Sequence, residues 1–222
     1  MKKYRIGEYM RELSIVILGV AVTFISSALI SSHNTRKDIR DNMSMIKIEL
    51  EENIKKIDKA IEAIDKDVDA ASAILSGDLR SIPTDTLVAY SNSLTNISLF
   101  SYTQDAMEIL KISSLAPHIE NKQLLLGIIK SYEAMNSMKT AISYYLDNKK
   151  KALDDVTERL SPEERRAITS YDIYDLWELY LTNGHMVHFL ESCNYTLDKR
   201  NFISAKNHIR EVIYSIEEEY GL

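Results

Sequence analysis

Twenty consecutive residues without a charge, Leu13 to Ser32 (LSIVILGVAVTFISSALISS), constrain this chain more than any other feature. At about 1.5 Å of rise per residue a helix of that length covers roughly 30 Å, the thickness of a bilayer's hydrocarbon core. A helix also satisfies its own backbone hydrogen bonds, as lipid demands. Arg11 and Glu12 precede the run, and Arg36 and Lys37 follow it. Tyr4 and Tyr9 stand where an aromatic belt anchors the near interface. The expectation is one transmembrane helix over 13–32, behind a short basic tail, 1–12. A buried core helix of this length usually carries some charge. A cleaved signal peptide is the stronger competitor, with Ser26 and Ala28 as small residues before a cut. Against it, the tail holds Glu8 and Glu12, and the apolar run continues through Leu29 and Ile30.

Orientation is weakly encoded. The tail has four Lys/Arg, and residues 33–47 also have four. A short tail followed by a long acidic domain favours a cytoplasmic N-terminus and a periplasmic C-terminal domain, single-pass in a bacterial inner membrane. Within the span, Gly19, Thr23, Ser27 and Ser31 recur every four residues and form a strip of small side chains on one helix face. Such strips let membrane helices approach closely, which makes a homo-oligomer an expected partner alongside the bilayer itself.

Behind the span comes the most regular stretch in the chain. Ile39, Met43, Ile46, Leu50, Ile54, Ile57, Ile61, Ile64, Val68, Ala71 and Leu75 are spaced by fours and threes, ten intervals over 36 residues. That averages the helical repeat, so the stripe stays on one face of a straight α-helix, 36–76, with Gly77 as its C-cap. Shorter helices are expected at 85–98, capped by Thr84, and at 103–113. A second long helix, 120–160, carries Leu125, Ile128, Tyr132, Met135, Ile142, Leu146, Leu153, Val156 and Leu160 on one face. Ser161-Pro162-Glu163-Glu164 starts a helix over 162–183, and 185–200 and 202–219, the last capped by Asn201, complete the chain. No stretch alternates as a strand would. The expected fold class is all-α: the anchor continues into a long helix of an antiparallel bundle occupying 33–222.

The chain resembles a bacterial family of unknown function, made of small helical proteins anchored in the membrane near their N-termini. Ile6-Gly7-Glu8, Ile15-Val16-Ile17-Leu18-Gly19, Arg36-Lys37 and Glu49-Leu50-Glu51-Glu52-Asn53 carry the first part of the likeness. Leu110-Lys111-Ile112-Ser113-Ser114, Ile119-Glu120-Asn121-Lys122, Leu124-Leu125 and Tyr132-Glu133 carry the second. Ser114 stands where that pattern has glycine, and Ser32-His33-Asn34-Thr35 where it has a tryptophan–asparagine pair. The resemblance implies anchor plus helical domain and assigns no activity.

The chain's net charge is −6. The first twelve residues carry +2 and the rest −8, which sets nucleic acid aside as a partner. Cys193 is the single cysteine, so no internal disulfide can form. It reads as a small core residue. No phosphate loop or nucleophile elbow is present. His185 and His188 are three apart and could meet on one helix face as metal ligands, but Glu191 is rotated by about 120° from His185. Half-buried histidines are the plainer reading, and no cofactor is expected. Tyr171, Tyr174, Trp177 and Tyr180, among Asp172, Asp175 and Glu178, form an aromatic–acidic cluster. They suit either a partner surface or packing into the bundle. Two functions fit. One is a non-enzymatic, membrane-tethered interaction or scaffold module that binds an unidentified protein. The other is an extracytoplasmic ligand-sensing bundle that passes its signal to a separate partner. A polar-lined pocket of a few hundred Å3 between the helices would favour the second, and a fully packed core the first.

Overall fold

A computed structural model describes the backbone of residues 4–167, 171–193 and 199–222, and the side chains of 34–165, 171–193 and 200–222. All its regular structure is helical: α1 (Tyr4–Leu75), α2 (Thr84–Thr95), α3 (Asp105–Ile112), α4 (Lys122–Arg159), α5 (Pro162–Ala167), α6 (Ile173–Leu181), α7 (Gly184–Ser192) and α8 (Lys199–Tyr220). Two short 3-10 turns, Leu79–Ser81 and Ala116–His118, sit in the links. There is no strand among the described residues.

The first helix is unbroken for 72 residues, about 108 Å at helical rise. Its backbone runs from the uncharged stretch into the amphipathic one without interruption. The side chains of that uncharged stretch, including Gly19, Thr23, Ser27 and Ser31, lie outside the described residues. Among the described residues, no helix is long and apolar enough to cross a membrane.

Four legs make the bundle, and ion pairs and hydrogen bonds fix their directions. Lys47 with Glu217 (2.8 Å) and Asp58 with Lys206 set α8 antiparallel to α1. Asn121 with Glu219 (2.6 Å) and the Gly127 carbonyl with His208 (3.3 Å) set it antiparallel to α4 as well. Asp155 with Asn183 (2.8 Å) and the tilted ring pair Tyr145–Phe189 (5.8 Å) do the same for α7 against α4. Thus α7 and α8 together form one returning leg. The second leg is also broken: α2, residues 96–104 and α3 carry the chain back along α1, with Ser93 beside Asp67 and Ala106 beside Glu49. Twelve helical residues, nine irregular ones at most ~3.3 Å each and eight helical ones span about 60 Å. Retracing 75 back to 36 needs about 58 Å, so the link suffices.

The two long helices are therefore parallel, facing one another across the diagonal of an up-down-up-down bundle. Their long side chains meet there: Glu49 with Tyr132, and Asp67 with Tyr145 and Lys149. Antiparallel packing holds between legs adjacent in the chain. Met43, Ile46, Leu50 and Ile57 of α1 are fully buried, as are Ile128 and Met135 of α4. Each contributes roughly 1.5–3 kcal/mol of apolar burial.

Several boundaries differ from the sequence reading for identifiable reasons. The helix expected over 103–113 starts at Asp105, because Thr103 is held by Asn53 through both its N–H (2.9 Å) and its carbonyl (2.7 Å). That expected over 85–98 ends at Thr95, where Asn96 turns extended. Thr84 lies inside α2, not at its cap, and its hydroxyl meets the Tyr174 hydroxyl instead (3.1 Å). The single helix expected over 162–183 is two. Asp172 has extended backbone and accepts from the Tyr174 N–H (2.7 Å), and so starts α6 afresh. Ser161 and Glu164 form the reciprocal cap that opens α5. The helix expected over 185–200 stops at Ser192, and residues 194–198 are outside the described set. Asn201 lies within α8, which begins at Lys199. Along the apolar stripes, Leu75 is exposed while Ile74 is buried, and Leu125 and Leu153 are only half-buried.

Candidate functional site

Two polar layers cross the bundle interior, and both hang on α1. In the first, the Glu49 carboxylate accepts from the Tyr132 hydroxyl and from the backbone N–H of Ala106 (3.1 Å). Gln104, the residue before α3, makes no side-chain cap. Glu49 supplies it from another helix, placing a negative charge at the positive end of α3. Asn42 donates to the Ala106 carbonyl (3.3 Å), and Asn53 clasps Thr103. Burial, and then the bonded Glu49 carboxylate, raise the pKa of the Tyr132 phenol.

The second layer lies eighteen residues along α1, about 27 Å further from the N-terminus. Asp67 and Lys149 form an ion pair at 2.7 Å, with side chains only 4% and 2% exposed. Asp67 also accepts from the Ser93 hydroxyl (2.6 Å) and the Tyr145 hydroxyl (2.8 Å). Lys149 donates a second bond to the Ser93 carbonyl (2.7 Å), in the last turn of α2, where a cation meets the negative end of the helix. The neighbouring Cys193 thiol is buried, and burial pushes its pKa up to about 11, which keeps it protonated and unreactive. Burial also raises the Tyr145 phenol, with the adjacent Cys193 and Asp67 acting in the same direction.

This second layer is the floor of a cleft of about 740 Å3, walled by α1, α2, residues 96–101 and α4. Small residues open it: Ala60 and Ala63 on α1, Ala89 on α2, Ser98 and Ser101 in the link. Asn92 and Asn96 bring amides to the wall, and Lys56, Lys59 and Lys66 bring ammonium groups. The volume lies within the range of small-molecule sites.

The residues singled out in the sequence are dispersed. Trp177 is fully buried and stacks edge-on with Tyr180 (ring centroids 5.3 Å apart). Tyr174 donates to the Ile82 carbonyl (2.7 Å). Tyr171 is exposed, Tyr174 and Tyr180 are half-buried and Trp177 is buried. His185 and His188 are exposed and line a separate, smaller depression of about 450 Å3 with Tyr144 and Lys151. His185 Nδ1 is 3.4 Å from Asp155. No group of three or more His, Cys, Asp or Glu placed to hold a metal ion occurs among the described residues.

Sequence reading missed Asp67, Lys149, Tyr145, Glu49 and the cleft above the second layer. One signal was available. Lys149 follows Ile142 by seven positions, Tyr145 by four and Leu146 by three, which puts an ammonium on an otherwise apolar face. No protein-family model matches the chain, and no characterised protein or solved structure shows significant similarity to it.

Proposed function

We propose that the chain is a single-pass, membrane-tethered helical bundle that binds a small molecule in the cleft above Asp67 and Lys149. In this reading it is a non-enzymatic sensing module, with residues 13–32 in the inner membrane and the bundle in the periplasm. One observation carries the proposal: the helix that walls the cleft is the same unbroken helix whose backbone continues through the uncharged run. Occupancy that shifts α1 against α2 or α4 would reach the membrane with no hinge between, and a separate membrane partner would receive it. The likeness to the anchored helical family points the same way on tethering.

Cysteine accessibility tests the compartment. With Ala63→Cys or Ser101→Cys in the cleft wall, a membrane-impermeant maleimide labels intact spheroplasts, while native Cys193 stays unlabelled. Labelling that requires detergent lysis places the cleft on the cytoplasmic side and overturns the orientation. Ligand occupancy is tested by mass spectrometry of small molecules released on denaturing the natively purified chain. A near-stoichiometric compound, missing from the cleft-filling variant Ala63→Trp, is expected. Recovery of none favours a scaffold.

The scaffold reading has its own support. Ile203 and Tyr214 on α8 are 56% and 65% exposed. Eleven residues apart, they lie within about 20° of one another around the helix, with exposed Asn207 and Arg210 between them, a strip of mixed polarity that an amphipathic partner helix would cover.

A further inference from the structure

We infer that the cleft is built for a small organic anion bearing a carboxylate or a phosphate, an assignment that rests on the cleft being a ligand site at all. Charge is the first reason. Four lysines line the cleft (Lys56, Lys59, Lys66 and Lys149) against two carboxylates (Glu62 and Asp67), a local net of +2 in a chain of net charge −6. A concave, partly desolvated wall of one sign concentrates counter-ions of the other.

The second reason is which of these charges are already spent. Lys66 is paired with Glu62 (2.8 Å) and Lys149 with Asp67. Lys56 and Lys59 make no ion pair or hydrogen bond among the described residues. The carboxylate that feels them, Glu52, is itself bonded to Lys55 (2.6 Å). Two positive charges on consecutive turns of α1 therefore stand at the cleft without an anion.

The floor supplies the third reason. An ammonium group has three donors. Lys149 Nζ uses two of them, on Asp67 and on the Ser93 carbonyl, and the third has no acceptor among the described residues. The acceptors beside it are committed. Asp67 receives Ser93, Tyr145 and Lys149. The last-turn carbonyls of α2 are also engaged: Ser91 by the Thr95 hydroxyl, Asn92 and Ser93 by the Asn96 N–H. The floor thus offers a charged donor and little unfilled acceptor capacity, while the amides of Asn92 and Asn96 bring both donors and acceptors to the wall. An oxyanion deep in the cleft would accept a hydrogen bond from the third Lys149 N–H, and Lys56 and Lys59, about 16 and 12 Å back along α1 from Asp67, would draw it in as longer-range point charges.

Position distinguishes a soluble ligand from a lipid headgroup. Lys56 is twenty-four residues beyond Ser32, about 36 Å up a straight helix, out of reach of a membrane surface at residue 32. The ligand is therefore a solute.

Isothermal titration on the full-length chain in a non-ionic detergent tests this, with ionic strength held constant by sodium chloride. Inorganic phosphate and succinate probe the two anion chemistries, spermidine a cation and glucose a neutral polar solute. The expected result is saturable binding of phosphate or succinate, weakened at least tenfold in the Lys56→Gln/Lys59→Gln variant. Both side chains are at the cleft mouth, so the unliganded variant should melt as the parent does. Saturable anion binding of equal strength in parent and variant overturns the assignment. So does saturable binding of spermidine or glucose with none of the anions, although the cleft then stands as a ligand site. Binding of none of the four overturns both readings.

Discussion

Removing Lys149 should be among the most damaging single changes to this protein, and removing Asp67 with it should be far less so. Lys149→Met keeps the aliphatic stem and deletes the ammonium. Asp67 then remains a buried carboxylate with only the Ser93 and Tyr145 hydroxyls for company, and the Ser93 carbonyl loses its charged donor. Breaking a buried pair on one side costs about 3–5 kcal/mol, because the surviving charge is desolvated and uncompensated. In Asp67→Asn/Lys149→Met neither charge is left, the amide oxygen still accepts from a hydroxyl, and the cost should fall to about 1–2 kcal/mol. The coupling between the two sites should therefore be at least ~2 kcal/mol. Domains of this kind are typically stable by about 5–15 kcal/mol, so the single variant should remain measurable. The chain's single tryptophan, Trp177, is fully buried and reports unfolding by fluorescence during urea titration of the full-length protein in mild detergent. A Lys149→Met cost below about 1 kcal/mol, or single costs that simply add, would refute the view that this pair is a desolvated unit holding α1, α2 and α4 in register.

Three other outcomes follow from the geometry. Ser114 sits at φ +57°, just past the end of α3, where a side chain costs roughly 1–2 kcal/mol; Ser114→Gly should stabilise by about 0.5–1 kcal/mol after glycine's extra chain entropy, read as a higher urea midpoint. A Cβ on Gly127 would stand 3.0 Å from Val212 Cγ2, where α4 and α8 pack. Gly127→Leu should therefore wedge the helices apart at a cost of about 1–3 kcal/mol, and an unchanged midpoint would contradict that close approach. Burial moves the Cys193 thiol from its usual 9.0 up to about 11. A folded pKa raised above the unfolded one gives stability that is complete below pH 9 and lost as pH rises through 11, here on the order of 2–3 kcal/mol. The raised phenols of Tyr132 and Tyr145 act in the same direction from about pH 10 upward, where an unfolded phenol begins to ionise. Urea midpoints should fall from pH 9 upward, and Cys193→Ala should flatten the part between 9 and 11.

The all-helical class and the approximate positions of the long helices were legible in the sequence because they rest on periodicity, a local property. The stripe from Ile39 to Ala71 needs only the next turn to declare its face. What was not legible depends on partners remote in the chain. Glu49 and Asp67 look like ordinary solvated acids until Ala106, Tyr132 and Lys149 are brought to them from 57 to 83 residues away. The parallel diagonal of α1 and α4 follows from the length of the link between them, which helical periodicity does not reveal. The break at Asp172 and the late start of α3 at Asp105 arise where a side chain competes with the helix for backbone groups. The aromatic cluster shows the limit of composition: Trp177 and Tyr171 share a motif, yet one is core and the other surface. Serine at 114 holds a left-handed backbone angle suited to glycine just past the end of α3, which no local periodicity reveals.

One helix is proposed to serve as both membrane anchor and cleft wall, and alkaline carbonate extraction of membranes carrying the full-length chain tests this most directly. Retention of the intact 25.4 kDa chain in the membrane pellet is the expected result. Release of the uncleaved chain into the supernatant, or recovery of a shorter chain lacking residues 1–28, would contradict it.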